Sequence, residues 1–226
     1  MLFRSDLKAP LALLIGYTTF LDAGEPVDDG SMRQSLQAIE ESARKMSSIV
    51  DELLLLASVR KREEVDIAPL DMDVIVSDAL ERLSDLIDRR DAVVELPEVW
   101  PIAKGYGPWV EEVWANYISN AVKYGGEPPR IELRATSRTE RRNGGPSAEY
   151  VRFWVCDNGD GLSEQQQARL FIPFERLEQT RAKGYGLGLS IVQRIMERLG
   201  GEVGVESDGV RDRGSCFWFE LPKADL

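Results

Sequence analysis

The 226-residue chain contains no histidine, only two cysteines and fewer basic than acidic residues. Its formal net charge of −11 argues against a nucleic-acid partner, because grooves that bind nucleic acid are basic. No apolar run approaches the ~20 residues of a membrane-spanning helix. The N-terminus also lacks the pattern of a signal peptide. We therefore expect a cytoplasmic location, with any recognition of phosphate built from local features.

The two cysteines, Cys156 and Cys216, both lie in apolar, strand-like runs. A free cysteine in such a run usually serves as a small hydrophobic core residue, and disulfides are rare in the cytosol. The sequence therefore predicts two unpaired core residues rather than a disulfide or a redox pair.

An aspartate followed by two glycines stands at the end of a predicted strand. Apolar and aromatic residues alternate over residues 149–157, and the chain continues Asp157-Asn158-Gly159-Asp160-Gly161. Gly159 and Gly161 allow a ligand to approach the backbone closely. The Asp157 carboxylate can accept a hydrogen bond from an exocyclic amine. This pattern favours recognition of adenine.

A glycine-rich segment, residues 184–189, leads into a predicted helix that ends at Leu199. Glycines before a helix expose backbone N–H groups where the helix dipole favours an anion such as phosphate. Upstream, Asn116 and Asn120 lie four residues apart on one face of another predicted helix, with Lys123 one turn beyond. Because Mg²⁺ takes oxygen ligands and substrate phosphates, the amides are candidate metal ligands.

In their order along the chain, these motifs resemble the ATP-binding domain of sensor histidine kinases. The family order is N-x-x-x-N, D-x-G-x-G, F-x-P-F, G-x-G-L-G-L and a late G-S-x-F. The third motif is Phe171-Ile172-Pro173-Phe174 here, and the last is Gly214-Ser215-Cys216-Phe217. With the N-terminal segment described next, the resemblance covers nearly the whole chain.

The resemblance implies ATP and Mg²⁺ as cofactors. Asp157 would recognise adenine, and Asn120, together with Asn116, would bind the metal. Arg176 and Lys183 belong to a basic loop that we expect to close over the triphosphate. The full set of implied ATP-binding residues is Asn116, Asn120, Lys123, Tyr124, Asp157, Gly159, Gly161, Phe174, Arg176, Lys183, Gly184, Tyr185, Gly186, Leu187, Gly188 and Ser215.

The N-terminal segment resembles the phosphoacceptor box of the family, F-x-H-[DE]-L-[RK]-x-P-L. Residues 3–11 read FRSDLKAPL, so Ser5 stands where the acceptor histidine is expected, followed by Asp6 as the assisting acid. Ala9 replaces the Thr or Asn of many relatives, which argues against phosphatase activity. Two explanations of Ser5 stay open. We favour an engineered substitution in an active kinase, because the rest of the box is intact; the other is a natural pseudokinase.

Helical periodicity dominates the first sixty residues. Apolar residues recur at steps of three and four over residues 2–21 and 31–57, and Ser31 is the predicted cap of the second helix. A single hairpin leaves its apolar seams without enough partner surface, so we predict a homodimeric four-helix bundle. Residues 1–60 then form the dimerisation and phosphoacceptor hairpin, and residues 61–226 form the ATP-binding domain.

The second region mixes predicted helices and strands. Strands are predicted over residues 64–70, 92–95, 130–137, 149–157, 202–207 and 215–221, and helices over 72–87, 108–124, 163–170 and from the glycines to 199. The polar residues 138–148 are the predicted tip of a hairpin. This order suits a two-layer α/β sandwich. The predicted fold class is α+β, with an α-helical hairpin followed by the sandwich.

The resemblance implies the core of a two-component sensor histidine kinase, which autophosphorylates and passes the phosphoryl group to the receiver domain of a response regulator. We expect an upstream sensor domain that lies outside this chain. A membrane anchor in the full-length protein is compatible with this expectation. With Ser5 at the acceptor position, we expect this chain to be inactive in autophosphorylation. The alternatives are a nucleotide-responsive scaffold and an ATP hydrolase of the GHKL type, and the dimerisation hairpin argues against the hydrolase.

Overall fold

The structure is a computed structural model that describes residues 3–22, 28, 30–40, 42–43, 46, 50, 65–141, 147–172 and 188–224. The chain divides into two compact units, Met1–Ser58 and Val59–Leu226. Within the described ranges, no helix is both long enough and apolar enough to cross a bilayer.

The first unit is helical, which confirms the predicted N-terminal helical region. Helix α1 spans Phe3–Asp22 and contains Pro10. Residues 30–40 are also helical, and the predicted helix beyond residue 50 lies outside the described residues. Along α1, Leu11, Ile15 and Phe20 are 44–57% exposed. These apolar side chains are therefore only partly covered within one chain.

The second helix of this unit is capped by Asp28, not by Ser31. The Asp28 Oδ1 accepts the backbone N–H groups of Gly30 (2.9 Å) and Ser31 (3.0 Å), and its Oδ2 accepts the Ser31 hydroxyl (2.7 Å). These bonds, with the Ser31 hydroxyl first, lower the pKa of Asp28. The prediction was wrong because the helix begins before Ser31, and a cap must precede the first turn.

The second unit is built on a five-stranded mixed sheet with the order β2-β4-β5-β7-β6. Strand β2 pairs in parallel with β4, and the other neighbours are antiparallel. A separate two-stranded sheet pairs β1 with β3. The strands are β1 (Ala68–Pro69), β2 (Val93–Glu95), β3 (Lys104–Gly105), β4 (Arg130–Arg141), β5 (Ser147–Cys156), β6 (Glu202–Glu206) and β7 (Cys216–Pro222).

Helices in the second unit are α2 (Met72–Arg82), α3 (Ser84–Arg89), α4 (Gly107–Tyr124), α5 (Glu164–Gln167) and α6 (Gly188–Leu199). The single helix predicted over residues 72–87 is two helices that meet at Leu83. The Leu83 N–H bonds to the Leu80 carbonyl, which closes the turn early. The predicted helix over residues 163–170 is shortened to α5, which starts with a capping box on Ser163.

Aromatic side chains fill the space between the helices and the sheet. Trp114 and Tyr117 of α4 and Phe153 and Phe219 of the central strands are fully buried. The Trp114 ring lies edge-on to Phe219, with ring centroids 5.1 Å apart. The Tyr117 hydroxyl donates to the Trp218 carbonyl (3.2 Å), and burial raises the pKa of Tyr117. This packing confirms the predicted α/β sandwich after a helical region.

Strands β4 and β5 extend past their predicted ends, into the polar segment that was predicted to be a hairpin tip. They pair as far as Arg141 with Ser147. Ion pairs hold the polar extension, because Arg138 contacts both Glu140 (2.9 Å) and Glu220 (2.9 Å). Polar composition alone therefore gave the wrong strand ends. The strand predicted over residues 64–70 is also shorter, since only Ala68–Pro69 pairs.

The two cysteines form a disulfide, so the prediction of unpaired core residues was wrong. Cys156 ends β5, Cys216 begins β7, and the two face each other in register. They are sixty residues apart in the sequence. Neither run reveals that the two strands are neighbours with this register.

Candidate functional site

Asp157 follows β5 directly and is fixed by the backbone around it. Its N–H donates to the Ser215 carbonyl (2.9 Å), and its Oδ1 accepts the N–H groups of Gly159 (2.8 Å) and Ser215 (3.3 Å). Burial raises the pKa of the Asp157 carboxyl, and the two N–H groups oppose that shift. The result is a half-buried carboxylate with a fixed orientation at the end of a strand.

The glycines next to Asp157 are required by close backbone contacts. A Cβ on Gly159 would lie 2.3 Å from the Tyr124 carbonyl oxygen at the end of α4. A Cβ on Gly214 would lie 1.7 Å from the Asp157 carbonyl oxygen. Gly161 has φ +71°, a conformation that L side chains rarely adopt. The Asp157 turn thus lies directly against the end of α4 and the start of β7.

Helix α4, whose end lies against the Asp157 turn, also carries the two predicted amides. Asn116 is half-buried, and its Nδ2 donates to the Glu112 carbonyl (2.9 Å) one turn earlier. That bond orients Oδ1 toward the first residue of α6, where a Cβ on Gly188 would lie 2.2 Å away from it. Asn120 is half-buried on the next turn of the same helix.

The end of α4 carries two further predicted site residues, Lys123 and Tyr124. The Lys123 carbonyl accepts a hydrogen bond from the Arg90 guanidinium (3.2 Å). Tyr124 is 47% exposed, so its ring is accessible from solvent. Tyr124 adjoins the turn formed by Asp157 and Gly159, because its carbonyl lies against Gly159.

The structure therefore brings together α4, the Asp157 turn, Ser215 and Gly188. Ser215 is buried, with 6% exposure. Ser5 and Asp6 lie in α1 of the first unit. The remaining predicted residues lie outside the described residues: Phe174, Arg176, Lys183, Gly184, Tyr185, Gly186 and Leu187.

Sequence reasoning missed Asn158, which connects the Asp157 turn to the loop after α4. Its Oδ1 accepts the N–H groups of Gly126 (3.0 Å) and Arg130 (2.8 Å), and its Nδ2 donates to the Pro128 carbonyl (3.2 Å). These three bonds hold the loop that follows α4. The available signal was an asparagine beside Asp157, but its partners lie 28 to 32 residues earlier.

Ser207 is a second residue that the sequence motifs did not indicate. Its hydroxyl donates to the Gly214 carbonyl (2.8 Å) and accepts the Leu162 N–H (2.9 Å). The Gln167 side chain donates to the carbonyls of Leu162 and Ser207 (both 2.8 Å). The segment after Gly161 is thereby tied to the loop before β7.

A separate cavity of about 340 Å³ lies between β1 and the starts of α2 and α4. Ile67 next to it is 48% exposed and Val74 in its lining is 53% exposed. Its lining contains none of the predicted site residues. We therefore locate the candidate site at the Asp157 turn, not at this cavity.

Comparison with protein families decides the family. A model described as "Histidine kinase-, DNA gyrase B-, and HSP90-like ATPase" matches residues 105–225, which hold α4, the Asp157 turn and α6. A second, described as "His Kinase A (phospho-acceptor) domain", matches residues 5–62. The chain belongs to the sensor histidine kinase family. Its predicted two-part organisation, helical region then ATP-binding sandwich, follows the order of the two family models.

Individual relatives agree with this family. The methanogenesis regulatory histidine kinase FilI of Methanothrix harundinacea (strain 6Ac) is 32% identical over 222 residues, 96% of this chain and 23% of that protein. The chain spans 23% to 56% of the length of the first curated relatives that it matches.

Two solved histidine kinase structures share the fold. Full-length ShkA in complex with AMPPNP has a TM-score of 0.67 at 25% identity, over 99% of this chain and 44% of that one. ThkA in complex with the response regulator protein TrrA has a TM-score of 0.72 at 18% identity, over 98% of this chain and 60% of that one.

Proposed function

We propose that this histidine kinase core binds Mg·ATP at the Asp157 turn in the cytoplasm, as the ATP-binding part of a kinase that autophosphorylates and serves a response regulator. One observation carries the proposal. Helix α4 joins three separate segments of the chain, because Asn116 on this helix lies against the first residue of α6 and Tyr124 at its end lies against the Asp157 turn. A carboxylate, an amide oxygen and a helix N-terminus match the amine, metal and phosphates of Mg·ATP.

Asp157 is the adenine-binding residue in this proposal. Both of its backbone hydrogen bonds use Oδ1, and we assign Oδ2 to the exocyclic amine of adenine. Because the carboxylate is held by Gly159 and Ser215, it needs no rearrangement to accept that bond. Gly159 and Gly161 belong to the proposed site because they allow the close backbone packing and positive φ of the turn that presents the carboxylate.

Asn120 is the proposed Mg²⁺ ligand, with Asn116 beside it. The Asn116 Nδ2 donates to the Glu112 carbonyl, so the amide oxygen is the end that would face the metal. Bound Mg²⁺ would neutralise charge on the phosphates. Lys123 and Tyr124 would contact phosphate and nucleotide. Contact with the nucleotide or its phosphates is also proposed for Phe174, Arg176, Lys183 and residues 184–188, because they complete the family motif.

The first sixty residues are proposed to form the homodimerisation and phosphoacceptor hairpin, with the domain boundary near residue 60. The family model for the phosphoacceptor domain supports this assignment over residues 5–62. Ser5 occupies the acceptor position, so this chain would bind ATP without autophosphorylating. A receiver domain is the proposed partner, supported by the fold shared with ThkA, which was solved with TrrA.

Calorimetric titration with Mg·ATP tests the nucleotide site. We expect a dissociation constant between about 1 µM and 1 mM, the range usual for enzyme substrates. GTP should bind more weakly, because its base carries a carbonyl where adenine carries the amine. Absence of binding heat at millimolar Mg·ATP would contradict the proposal.

Two other functions remain alternatives to an active kinase. Ser5 favours a nucleotide-responsive scaffold that docks a regulator without phosphotransfer. The family model also includes gyrase-like ATPases, so ATP hydrolysis is the second alternative. Steady release of phosphate without any labelled protein would favour hydrolysis over both kinase and scaffold.

A further inference from the structure

The Cys156–Cys216 pair occupies a special position between the two central strands. The next pair along, Asp157 and Ser215, carries the backbone hydrogen bond between the strands. In an antiparallel ladder such pairs alternate with non-hydrogen-bonded pairs, in which the side chains come closest. The register alone therefore places the two sulfur atoms side by side, and the structure joins them.

Each cysteine is the immediate neighbour of a site residue. Cys156 precedes Asp157, and Cys216 follows Ser215. Successive strand residues point to opposite faces, so the sulfur atoms lie on the face away from the aromatic core. A covalent bond between them ties together the two strand ends that orient the Asp157 carboxylate.

The pair lies on the outer face of the sheet. Across the sheet, the cysteines lie in one row with Glu132 of β4 and Glu206 of β6. This row is on the face opposite Phe153 and Phe219, against which Trp114 of α4 packs. Cys156 is buried at 9% exposure, and Cys216 is half-buried. A small oxidant or reductant would therefore react first at Cys216, the more exposed of the two.

We propose that Cys156 and Cys216 form a site of reversible oxidation whose state sets the affinity of the neighbouring nucleotide site. The co-reactant is a low-molecular-weight disulfide. One thiolate attacks it to give a mixed disulfide and release one thiol, and the second cysteine then displaces the other thiol. The two cysteines lose two electrons and two protons, and the small disulfide gains them as two thiols.

The oxidised state is the one that binds ATP more tightly. The disulfide fixes both strand ends before the nucleotide arrives, whereas in the dithiol state binding must order them. Restricting this motion is comparable to immobilising one side chain, so we expect about a three- to tenfold difference in affinity. This inference rests on the proposed nucleotide site, and the experiment below distinguishes failure of the redox switch from failure of nucleotide binding.

Mg·ATP titration of the whole chain after treatment with glutathione disulfide, and again after a phosphine reductant, tests the inference. Mass spectrometry after thiol alkylation reports the oxidation state independently of nucleotide. We expect tighter binding in the oxidised protein. Equal or tighter binding in the reduced protein, or failure of the thiols to oxidise, would overturn the switch but leave the nucleotide site intact. No binding in either state would instead contradict the proposed function.

A matched variant removes the cross-link without touching the site residues. Cys216→Ser should bind ATP like the reduced protein under both conditions, with no response to glutathione disulfide. Thermal unfolding shows whether the Cys216→Ser variant is folded. If it is not, the comparison between the oxidised and reduced forms of the unchanged chain still tests the inference. A redox response that persists in Cys216→Ser would overturn the assignment to this pair.

Discussion

The Asp157 carboxylate is held in a fixed orientation but lies in a buried environment that disfavours its charged form. Burial raises its pKa above the ordinary value of 3.8. Folding therefore favours the protonated carboxyl, and the unfolded chain binds fewer protons between 3.8 and the raised pKa. In that window this residue's contribution to stability falls as pH rises. Its charge thus destabilises the folded state at neutral pH, and the proposed role in adenine binding gives a reason for keeping a carboxylate there.

Asp157→Asn separates these two effects. We expect ATP affinity to fall at least about tenfold, because the amide places a donor against the adenine amine. We expect no loss of thermal stability, because the buried charge is gone. Calorimetry and thermal unfolding measure the two quantities. Asp160→Asn, in the same turn but 47% exposed in its side chain and paired with Arg211, is the control that should leave affinity unchanged. Unchanged ATP affinity in Asp157→Asn would defeat the assignment.

Gly188→Ala tests whether the start of α6 must contact Asn116. The new Cβ would lie 2.2 Å from the Asn116 Oδ1, so the amide must move. We expect ATP affinity to fall about tenfold or more, the effect of losing one charge-assisted contact. Gly107→Ala is the matched control on the helix that carries Asn116, since its Cβ meets only Ile75 at 3.9 Å. Equal affinities in the two variants would exclude a role for this contact.

At the scale of elements, the loop after α4 depends on one side chain. Asn158 bonds to Gly126, Pro128 and Arg130, and this loop leads directly from Tyr124 into β4. An asparagine whose side chain bonds only to loop backbone in these three contacts therefore helps to fix the end of α4 relative to Asp157. Loss of these bonds should loosen the loop and shift Tyr124.

Asn158→Ala should lower the free energy of unfolding by about 1–2 kcal/mol, since the bonds it removes are partly solvent-exposed. Asn158→Asp keeps both acceptor bonds but places a carboxylate oxygen against the Pro128 carbonyl. Chemical denaturation measures the total loss, and hydrogen exchange at Gly126 and Arg130 locates it. The two amides should exchange faster in Asn158→Ala than in Asn158→Asp, and the reverse order would contradict this account of the loop.

Sequence motifs indicated Asp157, Asn116 and Gly188 as candidate site residues, because each proposed role needs a particular residue type at a fixed local spacing. They also predicted the order of helices and strands, since hydrophobic periodicity is local. Asn158, the strand β3 and the Cys156–Cys216 pair were not predictable in the same way. Each depends on which distant segments become neighbours, and nothing within a short window encodes that register.

For the whole molecule, the first unit presents apolar side chains that one chain does not cover. Leu11 is 44% exposed, Ile15 57% and Leu36 53%. A second copy of the same helices would bury them in a bundle, which is the arrangement we propose for the dimer. Burying such residues is favourable by roughly 25 cal/mol for each Å² of apolar surface.

Leu11→Glu combined with Leu36→Glu should convert the dimer to monomers, because a charge in an apolar seam loses its hydration. Multi-angle light scattering at tens of micromolar measures the mass. Val74→Glu is the matched control, since Val74 is 53% exposed and lies in the second unit. A monomeric mass for the unchanged chain would contradict the proposed dimer.

We propose that this chain, a member of the histidine kinase family, binds ATP but lacks its phosphoacceptor. At pH 7 a neutral imidazole offers a lone pair, whereas the Ser5 hydroxyl must lose its proton to a positioned base. Asp6 is adjacent on α1, and neighbouring helix residues do not face each other. Transfer to Ser5 should therefore be slower by orders of magnitude.

Labelling with radioactive ATP tests this claim most directly, using the chain as given and its Ser5→His variant. We expect label only on Ser5→His, and we expect that label to be lost in acid and retained in alkali, as for a phosphohistidine. Acid-stable label on Ser5 at a comparable rate would contradict the claim. So would a Ser5→His variant that binds Mg·ATP and remains unlabelled.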